Sequence, residues 1–205
     1  MYARSTTVKA QREMIDQGIA QVRDEVLPSV MGMAGCVGLS MMVDRGSGEC
    51  IVTTSWATQE AMHATAEMVK PLRERATEIL SGAASVQEWE IAAMHRVTDM
   101  HATHVRGTWT SGDPAKAEEN IATFRISVLP KLEELPGFCS ASLLVDRTTG
   151  MAVSSTAFDS QASLEGSRGT ADMIRSAAVD QMRLKVLDVH EYELPLAHLH
   201  VPEMA

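Results

Sequence analysis

The apolar residues of this chain follow two rhythms in turn. Residues 2 to 8 alternate and are rich in Thr and Val, the period of two that marks a strand. Ile15, Ile19, Val22, Val26 and Leu27 then recur at spacings of three and four, the stripe of a helix with one buried face, and Pro28 bends or ends it. Val37, Leu39, Met41 and Val43 return to a period of two. Asp44 to Gly48 supply turn residues and Ile51 to Trp56 run back, so the two strands form a hairpin. Thr58 stands where it can cap a second helix. Its Met62, Val69, Leu72, Ala76 and Ile79 face inward while Glu67, Lys70, Arg73 and Glu74 stay wet. Val86 to Ile91 close the set as a last strand.

The set then starts again. Val43-Asp44-Arg45 returns as Val145-Asp146-Arg147, Val26-Leu27-Pro28 as Val128-Leu129-Pro130, and Gly35 as Gly137. Laying Arg4–Met62 on Arg106–Leu164 gives about 16 identities in 59 positions, which reads as an internal duplication. In the second copy Asp113-Pro114 marks a helix start, Ser160 takes the place of the Thr58 cap, and Val189 to Leu194 match Val86 to Ile91 after a slip of one residue. The order β-α-β-β-α-β, given twice, is the ferredoxin-like arrangement, with both helices on one face of a four-stranded antiparallel sheet. The predicted class is α+β: two tandem ferredoxin-like domains, 1–96 and 105–205, joined by a linker at 97–104 and ending in a tail from 195. Each leaves one sheet face bare, and two matching halves can cover each other sheet to sheet. Asp44 and Asp146 are expected to bond their own turn backbones.

Composition narrows the partners. Over 205 residues, 45% are apolar and 22% charged, as in ordinary globular proteins. A formal charge of −9 lacks the basic footprint that nucleic acid or an anionic membrane requires. No stretch approaches the roughly 20 apolar residues of a membrane span, and the first residues lack a secretory core, so a cytoplasmic protein is expected. Cys36, Cys50 and Cys139 form no CxxC and read as buried thiols. A Gly-x-Gly-x-x-Gly, a phosphate loop and a Gly-x-Ser-x-Gly elbow are all absent, so no cofactor is called for.

Within this frame each half resembles the antibiotic biosynthesis monooxygenase-like (ABM) domain of the dimeric α+β barrel superfamily. The residues that carry the likeness are the order of elements, Gly35-Cys-Val-Gly-Leu39 entering the second strand, and Thr54-Ser-Trp56-Ala-Thr-Gln-Glu-Ala-Met62, matched by Thr156-Ala-Phe158-Asp-Ser-Gln-Ala-Ser-Leu164. The resemblance implies an intramolecular pseudo-dimeric barrel, with further self-association of such barrels left open. It also implies an oxidoreductase: a cofactor-independent monooxygenase acting on a small aromatic or polyketide-type molecule. The alternative is a non-catalytic small-molecule-binding or structural barrel. Haem-degrading members carry an Asn in the first strand and a Trp and a His in the second helix. Here those places hold Arg4, Ser5 and Thr6, then Thr65 and Arg75, with Ser167 and Ala177 in the second copy, so that constellation is missing.

The candidate site residues follow from the two copies. Arg4 and Arg106 hold equivalent first-strand places, and Glu88/Glu90 and Glu191/Glu193 equivalent last-strand places. They read as cross-strand ion pairs or, alternatively, as Arg anchors for a carboxylate or enolate. Trp56 and Phe158 read as core wedges or as walls for a flat ligand. His63 is exposed or, as a catalytic group, takes a proton from substrate. Any such site is expected between the two sheets. His95, His101, His104, His198 and His200 gather near the linker and tail, and weak spacing leaves them without a metal assignment.

Overall fold

The computed structural model describes residues 1–97 and 100–204, so Thr98 and Asp99 of the expected linker lie outside the described residues. Ten elements in one order occur twice. The first set is β1 (Tyr2–Lys9), α1 (Ile15–Gln21), α2 (Leu27–Met31), β2 (Cys36–Asp44), β3 (Glu49–Trp56), α3 (Gln59–Ala64), α4 (Ala66–Ile79) and β4 (Ala84–Arg96), with a short 3-10 turn before α1 and a π turn, Val22–Val26, between α1 and α2. The second is β5 (His104–Ser111), α5 (Ala117–Thr123), α6 (Leu129–Glu133), β6 (Phe138–Asp146), β7 (Met151–Phe158), α7 (Gln161–Gly166), α8 (Arg168–Met182) and β8 (Lys185–Leu199), with the same turns at the same places. The strands close an antiparallel eight-stranded barrel in the order β1-β3-β2-β8-β5-β7-β6-β4, which is the expected α+β architecture. Among the described residues no helix is long and apolar enough to cross a membrane.

The chain condenses into two compact units. One comprises Met1–Trp89 with Glu193–Val201, the other Glu90–Tyr192 with the residues from Pro202 on. The last strands explain this division. β4 and β8 run for 13 and 15 residues, at least twice the six residues foreseen for each. In the first unit, β2 pairs with β3 on one edge and with the far end of β8 on the other, as in Met41↔Leu196. In the second, β6 pairs with β7 and with the far end of β4, as in Met94↔Ser142.

Each first helix passes through its proline. Pro28 and Pro130 lack an N–H for the carbonyl four residues back and crowd it with the ring. Widening the preceding turn, Val22–Val26 and Phe124–Val128, relieves both effects without ending the helix. Val22, Val26, Phe124 and Val128 are buried against the sheet of their own unit. The repeated Val-Asp-Arg phrase is turn chemistry. Asp44 accepts from the Gly46 N–H and Asp146 from the Thr148 N–H, each at 2.8 Å. Arg45 reaches Glu193 and Asp16, and Arg147 reaches Glu118 and Glu90, in surface networks.

The hairpin turns are steric as well as polar. Gly150 has φ +74°, and a Cβ there would stand 2.1 Å from the Gly112 carbonyl oxygen. Gly169 on α8 faces open space. Gly150→Ala is expected to destabilise by about 2 kcal/mol or more, and Gly169→Ala to stabilise by up to about 1 kcal/mol; urea unfolding of the two variants checks both signs.

Candidate functional site

The first strand of each unit carries one buried arginine, 5% exposed in both cases. In the first unit Arg4 donates from Nε and Nη2 to Glu88 Oε1 at 3.0 and 2.8 Å, and from Nη2 to the Met62 carbonyl at 3.1 Å. His63 Nε2 meets the other Glu88 oxygen at 2.9 Å. In the second unit Arg106 donates from Nε and Nη2 to Glu191 Oε1 at 3.1 and 2.8 Å and from Nη2 to the Leu164 carbonyl at 2.7 Å. Arg168 adds three further donations to Glu191. Both guanidinium groups thus meet carbonyls of their own helix layer. The expected site between the sheets is corrected: Arg4 and Arg106 project into the space between their own sheet and helices.

The copies differ at the remaining nitrogen. Arg106 Nη1 donates to Ser167 Oγ at 3.0 Å, whereas Arg4 Nη1 is buried without a partner among the described residues. Thr65, at the Ser167 position, donates its hydroxyl to the Ala61 and Met62 carbonyls, as Ser167 does to Leu164, but only Ser167 also accepts from its arginine. For Glu88, burial favours the neutral acid, but the hydrogen bonds from Arg4 and His63 prevail and hold the carboxyl below its usual range. For Glu191 the hydrogen bonds from Arg168 lead, burial opposes, and Arg106 adds to them, with the same result.

Each arginine lines a cavity between sheet and helices, of about 110 Å³ in the second unit and about 40 Å³ in the first. Cys50, Val52 and Val69 in the lining of the first cavity stand where the second has the smaller Ala152, Ser154 and Ala171, although Phe124 is larger than its counterpart Val22. In the first unit Leu80 also fills the space over Gly18, where a Cβ would come within 2.3 Å of it. The second unit has Asn120 at that place, and it lines the cavity. Helix residues Ile121, Phe124, Val128 and Ile174 supply an apolar wall.

Other predicted residues fall elsewhere. Trp56 is fully buried in the first unit's core, its Nε1 donating to Thr54 Oγ1 at 3.1 Å. Phe158 is also fully buried, with the Arg106 guanidinium 5.6 Å from its ring centre, a cation–π contact. Neither ring lines either of these two cavities. His63 is half exposed and lines neither. His95 is held by Glu203 and lies 3.2 Å from Glu133, while His198 and His200 face each other at 3.0 Å. Among the described residues no group of three His, Cys, Asp or Glu side chains is placed to hold a metal. Burial raises all three thiols, Cys50 to about 11, so they stay protonated at neutral pH. Ser167 and Arg168 went unforeseen; their signal was the chemical contrast with Thr65 and Ala66 at the same places in the first copy.

A closed α+β barrel with a buried Arg–Glu pair and a sheet–helix cavity in each unit defines the class of protein, and comparison with known proteins agrees. The structure of a "putative monooxygenase" from Lactobacillus acidophilus NCFM superposes with a TM-score of 0.70 at 9% identity, over 97% of this chain and 96% of that one. An anthrone oxidase-like protein gives 0.63 at 14% identity, over 99% and 93%. At these identities the likeness is one of fold. No protein-family profile matches the chain. The uncharacterized protein Rv2557 of Mycobacterium tuberculosis H37Rv is 50% identical over 205 residues, covering all of this chain and 92% of that protein. The chain belongs to the family of Rv2557.

The lowered carboxyls make stability pH-dependent with a definite sign. A carboxyl depressed in the folded state contributes stability that is complete above its unfolded value of about 4.3 and is lost as pH falls through the folded value. Glu88→Gln is therefore expected to be less stable than the parent protein at pH 7, by about 1–3 kcal/mol. As pH falls below the unfolded value of about 4.3 and through the lowered folded value, the gap should narrow, because Glu88 is increasingly protonated in the parent as well. Urea unfolding from pH 3 to 7 measures it.

Proposed function

We propose that this protein binds a small organic molecule in the sheet–helix cavity of its second unit and acts on it as a cofactor-independent monooxygenase of the ABM-like class. The observation that carries the binding half is the cavity itself: about 110 Å³, hollowed by smaller side chains than the first copy has, with an apolar helix wall and Arg106 at its margin. An apolar cavity of about 150 Å³ is known to take up benzene, so the substrate is of single-ring size, with the flexible Met182 giving room for substituents. A three-ring polycycle is larger than this space and would have to project from its mouth. Arg106 acts here by position, since all its nitrogens are already engaged. The oxygenase half rests on the likeness to proteins described as a monooxygenase and as anthrone oxidase-like.

One observation favours a second reading, binding without turnover. A general base must reach its proton directly or through one water, and no histidine is among the described residues that line the cavity. His63 lies in the first unit, hydrogen-bonded to Glu88. Tandem copies at 1–96 and 105–205, related by duplication, and a cytoplasmic setting complete the proposal.

A panel of single-ring and three-ring aromatics, tested by thermal shift and then by oxygen uptake without added cofactor, separates the readings. Single-ring compounds are expected to raise the melting temperature and to consume oxygen. Stabilisation without oxygen uptake would leave the binding reading alone, and stabilisation by three-ring compounds only would contradict the cavity assignment.

A further inference from the structure

The sheet floor of the second unit's cavity holds a set of polar side chains that serve no purpose within the fold. Arg106 pairs across the strands with Thr156, Thr108 with Ser154, and Thr110 with Ala152. Because side chains alternate along a strand, these residues present one face, and all of them line the cavity. The hydroxyls of Thr108, Thr110, Ser154 and Thr156, and the Asn120 amide on α5, have no hydrogen-bond partner among the described residues.

The first unit keeps Thr6 at the place of Thr108 but lacks the rest of this arrangement, for specific reasons. Val8 and Val52 stand where the second copy has Thr110 and Ser154, and Gly18 where it has Asn120. Thr54 and Thr156 are the same residue, yet Thr54 accepts from the Trp56 indole and donates to the Arg4 carbonyl. Phe158 has no N–H, so Thr156 loses that donor. Three apolar or missing side chains become polar, and a fourth polar one is released, all around one hollow.

None of these atoms is among the buried polar atoms left without a partner, so water reaches them. A ligand that fills the cavity displaces that water and must replace its bonds or lose affinity. Waters could supply the bonds, and about three would fill the space. A ligand that supplies them along one edge, while its ring lies on Ile121, Phe124 and Val128, satisfies both walls at once.

We infer that the ligand of this cavity is a neutral, single-ring molecule with at least two hydroxyl or carbonyl oxygens on one edge, recognised by Thr108, Thr110, Asn120, Ser154 and Thr156. The inference rests on the proposed binding site and fixes the class of ligand it takes. The opposite face of the ring is held by packing alone, so substituents there are limited by size.

Titration calorimetry with catechol, resorcinol, phenol and toluene tests it on the intact protein. A dihydroxybenzene is expected to bind at least about tenfold tighter than toluene. Thr110→Val and Ser154→Ala, which remove one hydroxyl each with little change of shape, are each expected to weaken the dihydroxybenzene by about tenfold. Toluene should stay within about twofold, and free variants that melt at or above the parent's temperature show that the fold is retained. Equal affinity for toluene and the dihydroxybenzenes, or variants that leave both unchanged, would overturn the inference while the binding site stands. Failure of all four compounds to bind would overturn the site as well, leaving a cavity for water.

Discussion

A guanidinium removed from water must meet a carboxylate, and this requirement governs both units. Arg4 and Arg106 are nine-tenths buried or more. Their partners Glu88 and Glu191 are 38% and 25% exposed, so water shares the screening, yet removing either carboxylate leaves a buried charge behind. Each arginine therefore fixes three things within its unit: the first strand, the last strand through Glu88 or Glu191, and the start of the second helix pair through the carbonyl of Met62 or Leu164. The Glu-x-Glu pairs mark where the long strands pass from one unit to the other. In β4, Glu88 answers Arg4 and Glu90 answers Arg147; in β8, Glu191 answers Arg106 and Glu193 answers Arg45.

With the frame fixed in both copies, the sheet–helix space was free to diverge. The first unit filled it, with Leu80 packed over Gly18 and Met41, Val52 and Cys50 on the floor. The second emptied it and lined the floor with hydroxyls. Val8 and Val52 give way to Thr110 and Ser154, whose hydroxyls stay open to water, and this divergence is the basis of the proposed binding function.

Much of the fold was legible because it depends on local rules. Alternation located the strands, three-and-four spacing the helices, and Asp44 and Asp146 the turns they cap. The Arg–Glu pairing was legible too, since like residues recurred on strands that the ferredoxin-like order makes neighbours. What escaped was non-local. Pro28 and Pro130 suggest a helix end by rule, and the π turns that carry the helix past them arise only with packing. The length of β4 and β8 was hidden because the two copies stop resembling each other after Ile91 and Leu194. The cavity was hidden because an empty space has no residue; only paired large-to-small differences in the lining, Cys50 against Ala152 and Val69 against Ala171, betray it.

The most direct measurement is a co-crystal structure with a brominated dihydroxybenzene, in which anomalous scattering locates the bromine without reference to the protein. A bromine in the second unit between Phe124 and Ser154, with the ring oxygens against the strand hydroxyls, is the predicted result. A cavity occupied by ordered water, with the bromine elsewhere or absent, would contradict it.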